Sequence, residues 1–83
     1  MFNPLNLTPG QKYKIIKTFI DFDQIVHPVD EAWIFIETNF LPYEDGLTLH
    51  VLKEGLKTTY RLKWTKENQE NIIENFKDFI APC

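Results

Sequence analysis

From Thr58 to Trp64 the chain alternates without a slip: Thr58, Tyr60, Leu62 and Trp64 on one side, Thr59, Arg61 and Lys63 on the other. Side chains of a strand point to opposite faces with period two, so this segment is a half-buried antiparallel strand with one wet face. Immediately after it the period changes. Ile72, Ile73, Phe76, Phe79 and Ile80 recur at the spacing of one helical stripe, which predicts a C-terminal amphipathic helix over residues 65–81, capped by Thr65 and stopped by Pro82. At 83 residues the chain has room for one hydrophobic core. Residues 1–83 therefore read as a single domain, a sheet closed by one helix.

The remaining segments fill in that sheet. Residues 1–10 read as an extended lead-in ending in Thr8-Pro9-Gly10, where Pro presets the second turn position and Gly accepts a positive φ at the third. Lys12 to Phe22 is rich in Tyr, Ile and Phe, with a register slip at Ile15-Ile16 that reads as a bulge or a strand buried on both faces. Residues 21–31 read as a loop. Ala32 to Thr38 reads as a central strand, with Trp33 and Phe35 on one face and Ile34 and Ile36 on the other. Tyr43-Glu44-Asp45-Gly46 is expected to close a hairpin with Gly46 in the left-handed region. Leu47 to Lys53 is a further strand, and Glu54-Gly55 the next turn. The fold class is then α+β and mostly β: a small antiparallel SH3-like or OB-like barrel, or a curled sheet, of four to five strands over residues 11–64 with one C-terminal helix.

In chain order, Leu7-Thr8-Pro9-Gly10-Gln11-Lys12-Tyr13, Phe19-Ile20-Asp21-Phe22-Asp23, Trp33-Ile34-Phe35, Phe40-Leu41-Pro42-Tyr43-Glu44-Asp45-Gly46-Leu47-Thr48-Leu49 and Tyr60-Arg61-Leu62-Lys63-Trp64 form a pattern. It resembles a small bacterial family of domains of unknown function that carries a Phe-Leu-Pro-Tyr-x-Asp-Gly-Leu segment. The chain departs from that pattern at Gln24 and near Asp30, where glycine is usual, so its first loop is expected to have its own shape. The resemblance implies a bacterial origin and brings no catalytic residue with it.

Charge narrows the function classes. The net charge is −3 and the pI about 5.2, which argues against a nucleic-acid partner. Between Thr18 and Leu52 there is no Lys or Arg, while Asp21, Asp23, Asp30, Glu31, Glu37, Glu44 and Asp45 are all acidic. If residues 21–31 and 42–46 meet at one end of the sheet, they form an acidic rim flanked by Phe22 and Tyr43. Asp21, Phe22, Asp23, Tyr43, Glu44 and Asp45 are thus the candidate partner-binding residues, suited to a basic or proline-rich protein segment. The plainer reading is solvated loops and rings that plug the ends of a barrel.

Catalysis and cofactors find little support. The chain has no Ser, which removes a serine triad, and its one Cys is the terminal Cys83. Adding His27 and His50 to the carboxylates raises a divalent-metal site. Yet Asp21-x-Asp23 lacks the later Gly and Glu of a calcium loop, and His50 reads as a structural histidine within a strand. No catalytic residue, cofactor or metal ligand is expected. A single cysteine, no signal-like leader and no long apolar run point to the cytoplasm and away from a membrane. The function expected is a non-enzymatic interaction or regulatory domain, with a small-ligand or metal-binding domain, or a minor enzyme, as the rival.

Overall fold

The computed structural model describes residues 4–43 and 45–83. Its strands are β1 (Lys12–Ile15), β2 (Phe19–Ile20), β3 (Val26–His27), β4 (Ala32–Leu41), β5 (Gly46–Lys53), β6 (Leu56–Lys63) and β7 (Ile80–Pro82). Between β6 and β7 lie helix α1 (Glu70–Glu74) and a 3-10 turn, Phe76–Asp78. Five strands make one antiparallel sheet in the order β6-β5-β4-β1-β7, and β2 with β3 makes a separate two-stranded hairpin.

The alternation of β6 is realised: Tyr60 and Leu62 are buried, Thr59 and Arg61 exposed. Trp33 and Phe35 of β4 are likewise buried and Ile34 half-buried. Two turns hold as read. Gly10 takes φ +86° with Gln11 N donating to Thr8 O at 3.0 Å. Glu54 and Gly55 take φ +54° and +80°, the primed two-residue turn that matches strand twist. The third turn is corrected. The left-handed residue before β5 is Asp45 at φ +50°, and Gly46 already pairs with Leu41 as the first residue of the strand.

The sheet is open, which corrects the barrel. Its two ends are made unfit to meet. β7 has three residues and ends in Pro82, which has no N–H to donate. The outer edge of β6 is taken up by other chain: Phe22 N donates to Arg61 O at 2.8 Å, and Gln69 brackets Lys63, its N donating to Lys63 O at 2.9 Å and its Oε1 accepting from Lys63 N at 2.9 Å.

The long helix is corrected too. Its stripe is buried as expected, with Ile73, Phe76, Phe79 and Ile80 at most 5% exposed, but three kinds of structure supply it. The first turn after β6 is a Thr65–Asn68 loop, in which Asn68 Nδ2 donates to Thr65 Oγ1 at 2.8 Å, so Thr65 caps no helix. α1 ends where Asn75 (φ −123°) swings its Nδ2 onto Asn71 O at 2.9 Å. Asparagine competes in this way with the helical backbone, and residues 68, 71 and 75 are all Asn. The free edge of β1 then captures Ile80–Pro82 as a strand.

The slip at Ile15-Ile16 marks a strand end: β1 stops at Ile15, which is fully buried, and Ile16 is exposed. The bulge lies in β4, between Phe35 and Glu37, where two residues oppose His50. The core is a single layer between the sheet and what crosses it. Leu5, Leu7, Phe19, Ile73, Phe76 and Phe79 pack on Tyr13, Ile15, Trp33, Phe35, Leu47, Leu49, Val51, Tyr60 and Leu62.

Candidate functional site

The turn that follows β2 positions the candidate residues. Asp21 Oδ1 accepts from Asp23 N at 2.9 Å and from Ile25 N at 3.0 Å, an Asx turn that bends the chain back into β3. Gln24 occupies φ +65°, and Asp30 further on φ +77°, both in the region that glycine enters freely. The turn lays Phe22 along β6, with the Lys63 ammonium 5.3 Å and the Arg61 guanidinium 5.9 Å from the centre of its ring. Asp23 meets the same Arg61 through Nε at 3.0 Å and through a second nitrogen. That hydrogen bond holds the Asp23 carboxyl below its ordinary range.

Beside this stack the β4–β5 turn presents Tyr43, fully exposed, and Leu41, about half exposed. Phe22, Leu41, Tyr43, Leu62, Lys63 and Arg61 line one groove of about 430 Å³. Phe22 and Tyr43, one from each loop, thus line a common groove. The acidic half of the expectation fares differently at each residue. Asp21 has no exposure at all, and Asp23 is engaged by Arg61. Asp45 is exposed at the side chain, while its backbone oxygen accepts from Trp64 N at 2.7 Å. Glu44 lies outside the described residues. Between the loops stand Arg61 and Lys63, so the groove is aromatic and of mixed charge.

A second cluster runs from the interior to the surface, where the Lys53 side chain is partly exposed. His27 Nε2 faces Asp21 Oδ2 at 2.8 Å, and Nδ1 faces Glu31 Oε2 at 2.7 Å, while Lys53 Nζ donates to Glu31 Oε1 at 2.9 Å. Each ring nitrogen of His27 thus faces a carboxylate oxygen, and His27 is the centre of a hydrogen-bonded string that runs Asp21, His27, Glu31, Lys53. Its ring is stacked on Phe19 (centroids 4.7 Å apart, 24° between planes) and met edge-on by Tyr60 at 4.2 Å. Burial pushes the Glu31 carboxyl up, but hydrogen bonds from His27 and Lys53 outweigh it and hold it below the ordinary range. The same Glu31 bond raises the Lys53 ammonium. Burial, reinforced by the Glu31 charge, raises the Tyr60 phenol.

An acid flanking a histidine has the look of a proton relay, but Asp21 and His27 are 0% exposed and no substrate reaches them. Among the described residues, no group of three His, Cys, Asp or Glu side chains is arranged to hold a metal ion. His50 is satisfied within the sheet by Asn39 Oδ1. Sequence reasoning read His27 as a loop residue and Arg61 and Lys63 as merely solvated. A stretch from Thr18 to Leu52 with seven carboxylates and no Lys or Arg carried a usable signal, because its buried acids need cations from elsewhere.

No helix among the described residues is long and apolar enough to cross a membrane. Comparison with proteins of curated function gives no match. A solved structure, an integron cassette protein from the mobile metagenome of Vibrio cholerae, is similar over 100% of this chain and 92% of that chain, with 28% identity and a TM-score of 0.93. The family model for a domain of unknown function, DUF3601, matches residues 2–81, and the chain belongs to that family.

Proposed function

We propose that the protein is a non-enzymatic protein-interaction module that holds an extended, proline-containing segment of a partner in the Phe22–Tyr43 groove. One observation carries this reading: two aromatic rings from different loops, with the exposed Leu41 between them in the lining, bound a single groove of about 430 Å³. Proline-rich segments are extended before binding and dock on aromatic surfaces at low entropic cost. With Arg61 and Lys63 in its wall, the groove suits a proline-rich segment better than a basic one. A bacterial, cytoplasmic setting accords with the integron cassette relative and with a single exposed Cys83.

The test is an NMR titration of the ¹⁵N-labelled protein with a proline-rich peptide. Amide shifts should cluster at Phe22, Leu41, Tyr43 and Thr48, and Tyr43→Ala should abolish them while leaving the melting temperature unchanged. Shifts that fall elsewhere, or that survive Tyr43→Ala, overturn the reading.

A further inference from the structure

The core covers one face of the five-stranded sheet, and the other is open except where Phe22 and Asp23 lie against Arg61 and Lys63. The core residues occupy the side bearing Tyr13, Trp33, Leu49 and Tyr60. On the opposite side the strand register sets cross-strand rows: Lys57, Leu52, Ile34 and Lys12; then Thr59, His50 and Glu37; then Arg61, Thr48 and Asn39; then Lys63, Gly46 and Leu41. Lys14 stands on the same face between Ala32 and Ala81. Five of the chain's nine basic residues thus share this face with one strand carboxylate, Glu37, although the chain as a whole is acidic. Lys12, Lys14 and Lys57 are exposed and make no ion pair among the described residues. Ile34 and Leu52, central in their row, line a shallow depression with Lys12, while Asp30, Glu31 and Glu54 of the flanking loops bound it too, Glu31 being paired with Lys53.

We propose that this face docks an acidic protein surface whose carboxylates surround a small apolar patch. Charge complementarity picks the partner: Asp and Glu side chains meet Lys12, Lys14 and Lys57, and an aliphatic group covers Ile34 and Leu52. Five strands of three to ten residues, about 4.8 Å apart, give the whole face roughly 500 Å², below the ~800 Å² per partner of a standard interface, so the contact is of the weak, transient class. A second copy of the chain is disfavoured, because a twofold contact through this face sets lysine against lysine. Single-stranded nucleic acid needs rings to stack on at the centre of the sheet, where this face has Ile34 and Leu52. The inference concerns the Lys12–Lys57 end of this face and does not depend on the use of the Phe22–Tyr43 groove, whose lining residues Leu41, Gly46, Thr48, Arg61 and Lys63 stand at the other end.

The experiment titrates the intact protein with poly-L-glutamate and, in parallel, with an oligo-dT strand and with phosphatidylserine vesicles, following backbone amides by NMR. Poly-L-glutamate should shift Lys12, Ile34, Leu52 and Lys57, and should bind the double variant Lys12→Glu/Lys57→Glu about tenfold more weakly. Lys66→Glu/Lys77→Glu changes the net charge equally but lies off this face, and it should bind like the parent. Equal weakening by both double variants reduces the effect to net charge and overturns the proposal. So does the absence of poly-L-glutamate binding, or tighter binding of oligo-dT or vesicles at the same residues. Tyr43→Ala should leave poly-L-glutamate binding intact, which separates this surface from the groove.

Discussion

Asp21 and Asp23 are two residues apart, and each is bonded to a basic side chain, yet they belong to different physical regimes. Asp21 has no solvent exposure and meets His27 inside the core, while Asp23 meets Arg61 at the surface with a third of its side chain exposed. In the interior a charge stripped of its partner stays desolvated, so breaking a buried pair costs roughly 3–5 kcal/mol. At the surface, water replaces a lost partner at little cost. Position, and not residue type, decides which carboxylate holds the fold and which is available to dress a binding groove.

The sharpest way to break that contrast is Asp21→Ala. It removes the partner of His27 and the one oxygen that accepts both bonds of the Asx turn, and should cost roughly 3–5 kcal/mol in a urea melt, a large part of what an ordinary domain has. Asp21→Asn separates the two roles, because its amide oxygen still accepts from Asp23 N and Ile25 N while the charge is gone. A loss for Asn as large as for Ala places the cost in the charge. An Asn variant as stable as the parent shows that the turn, and not the string, carries the stability.

Acid should find the same string. The Glu31 carboxyl is lowered in the folded state, so its contribution is present above the ordinary value of 4.5 and is lost as pH falls through its folded value. The Lys53 ammonium is raised from 10.5, so its contribution persists below that value and disappears as pH rises through the folded one. Tyr60 adds to the alkaline side: its phenol is raised from 10.0, so the unfolded chain ionises first and gains at the expense of the fold. Stability should therefore be level between about pH 5 and 9 and fall outside it. Glu31→Gln should flatten the acid limb and lower the plateau; an unchanged acid limb would remove the string from the explanation.

Directly after Asp23, Gln24 sits at φ +65°, where a side chain is strained. Gln24→Gly should raise stability by about 0.5–1 kcal/mol, since the residue has a left-handed conformation to satisfy and no side-chain contact that must be kept. A loss on this substitution would mean that the unfolded chain's gain in freedom outweighs the relieved strain.

What the sequence made legible was whatever depends on period alone. The alternation in Thr58–Trp64 is a property of one strand and survives any arrangement of its neighbours. The Ile72–Ile80 stripe correctly named the buried residues, but a stripe of apolar positions states which side chains are covered and not by what backbone. Phe79 and Ile80 are adjacent, and both are buried because the chain leaves a 3-10 turn at Phe79 and enters a strand at Ile80. The three Asn residues at 68, 71 and 75 were the available warning against one long helix. The Asp21–His27–Glu31–Lys53 string was out of reach for a different reason. Lys53 lies 22 positions from Glu31, and only the folded sheet brings them together. Phe22 and Tyr43 were legible as flanking residues of two loops. That Arg61 and Lys63 stand between them was not, because it depends on which strand forms the edge.

Asp23→Asn is the smallest expected effect and the most informative about the surface. It removes one partner of Arg61, whose guanidinium also lies over the Phe22 ring, and the exposed pair is already open to screening by salt. The melting temperature should stay where it is. The groove should change even so: its surroundings lose one negative charge, and an acidic proline-rich peptide should bind the variant better than it binds the parent. Raising salt to about 1 M shortens the screening length to about 3 Å and should erase that preference without shifting the melt. A clear drop in melting temperature would place Asp23 with Asp21 as a structural carboxylate and end the contrast between the two.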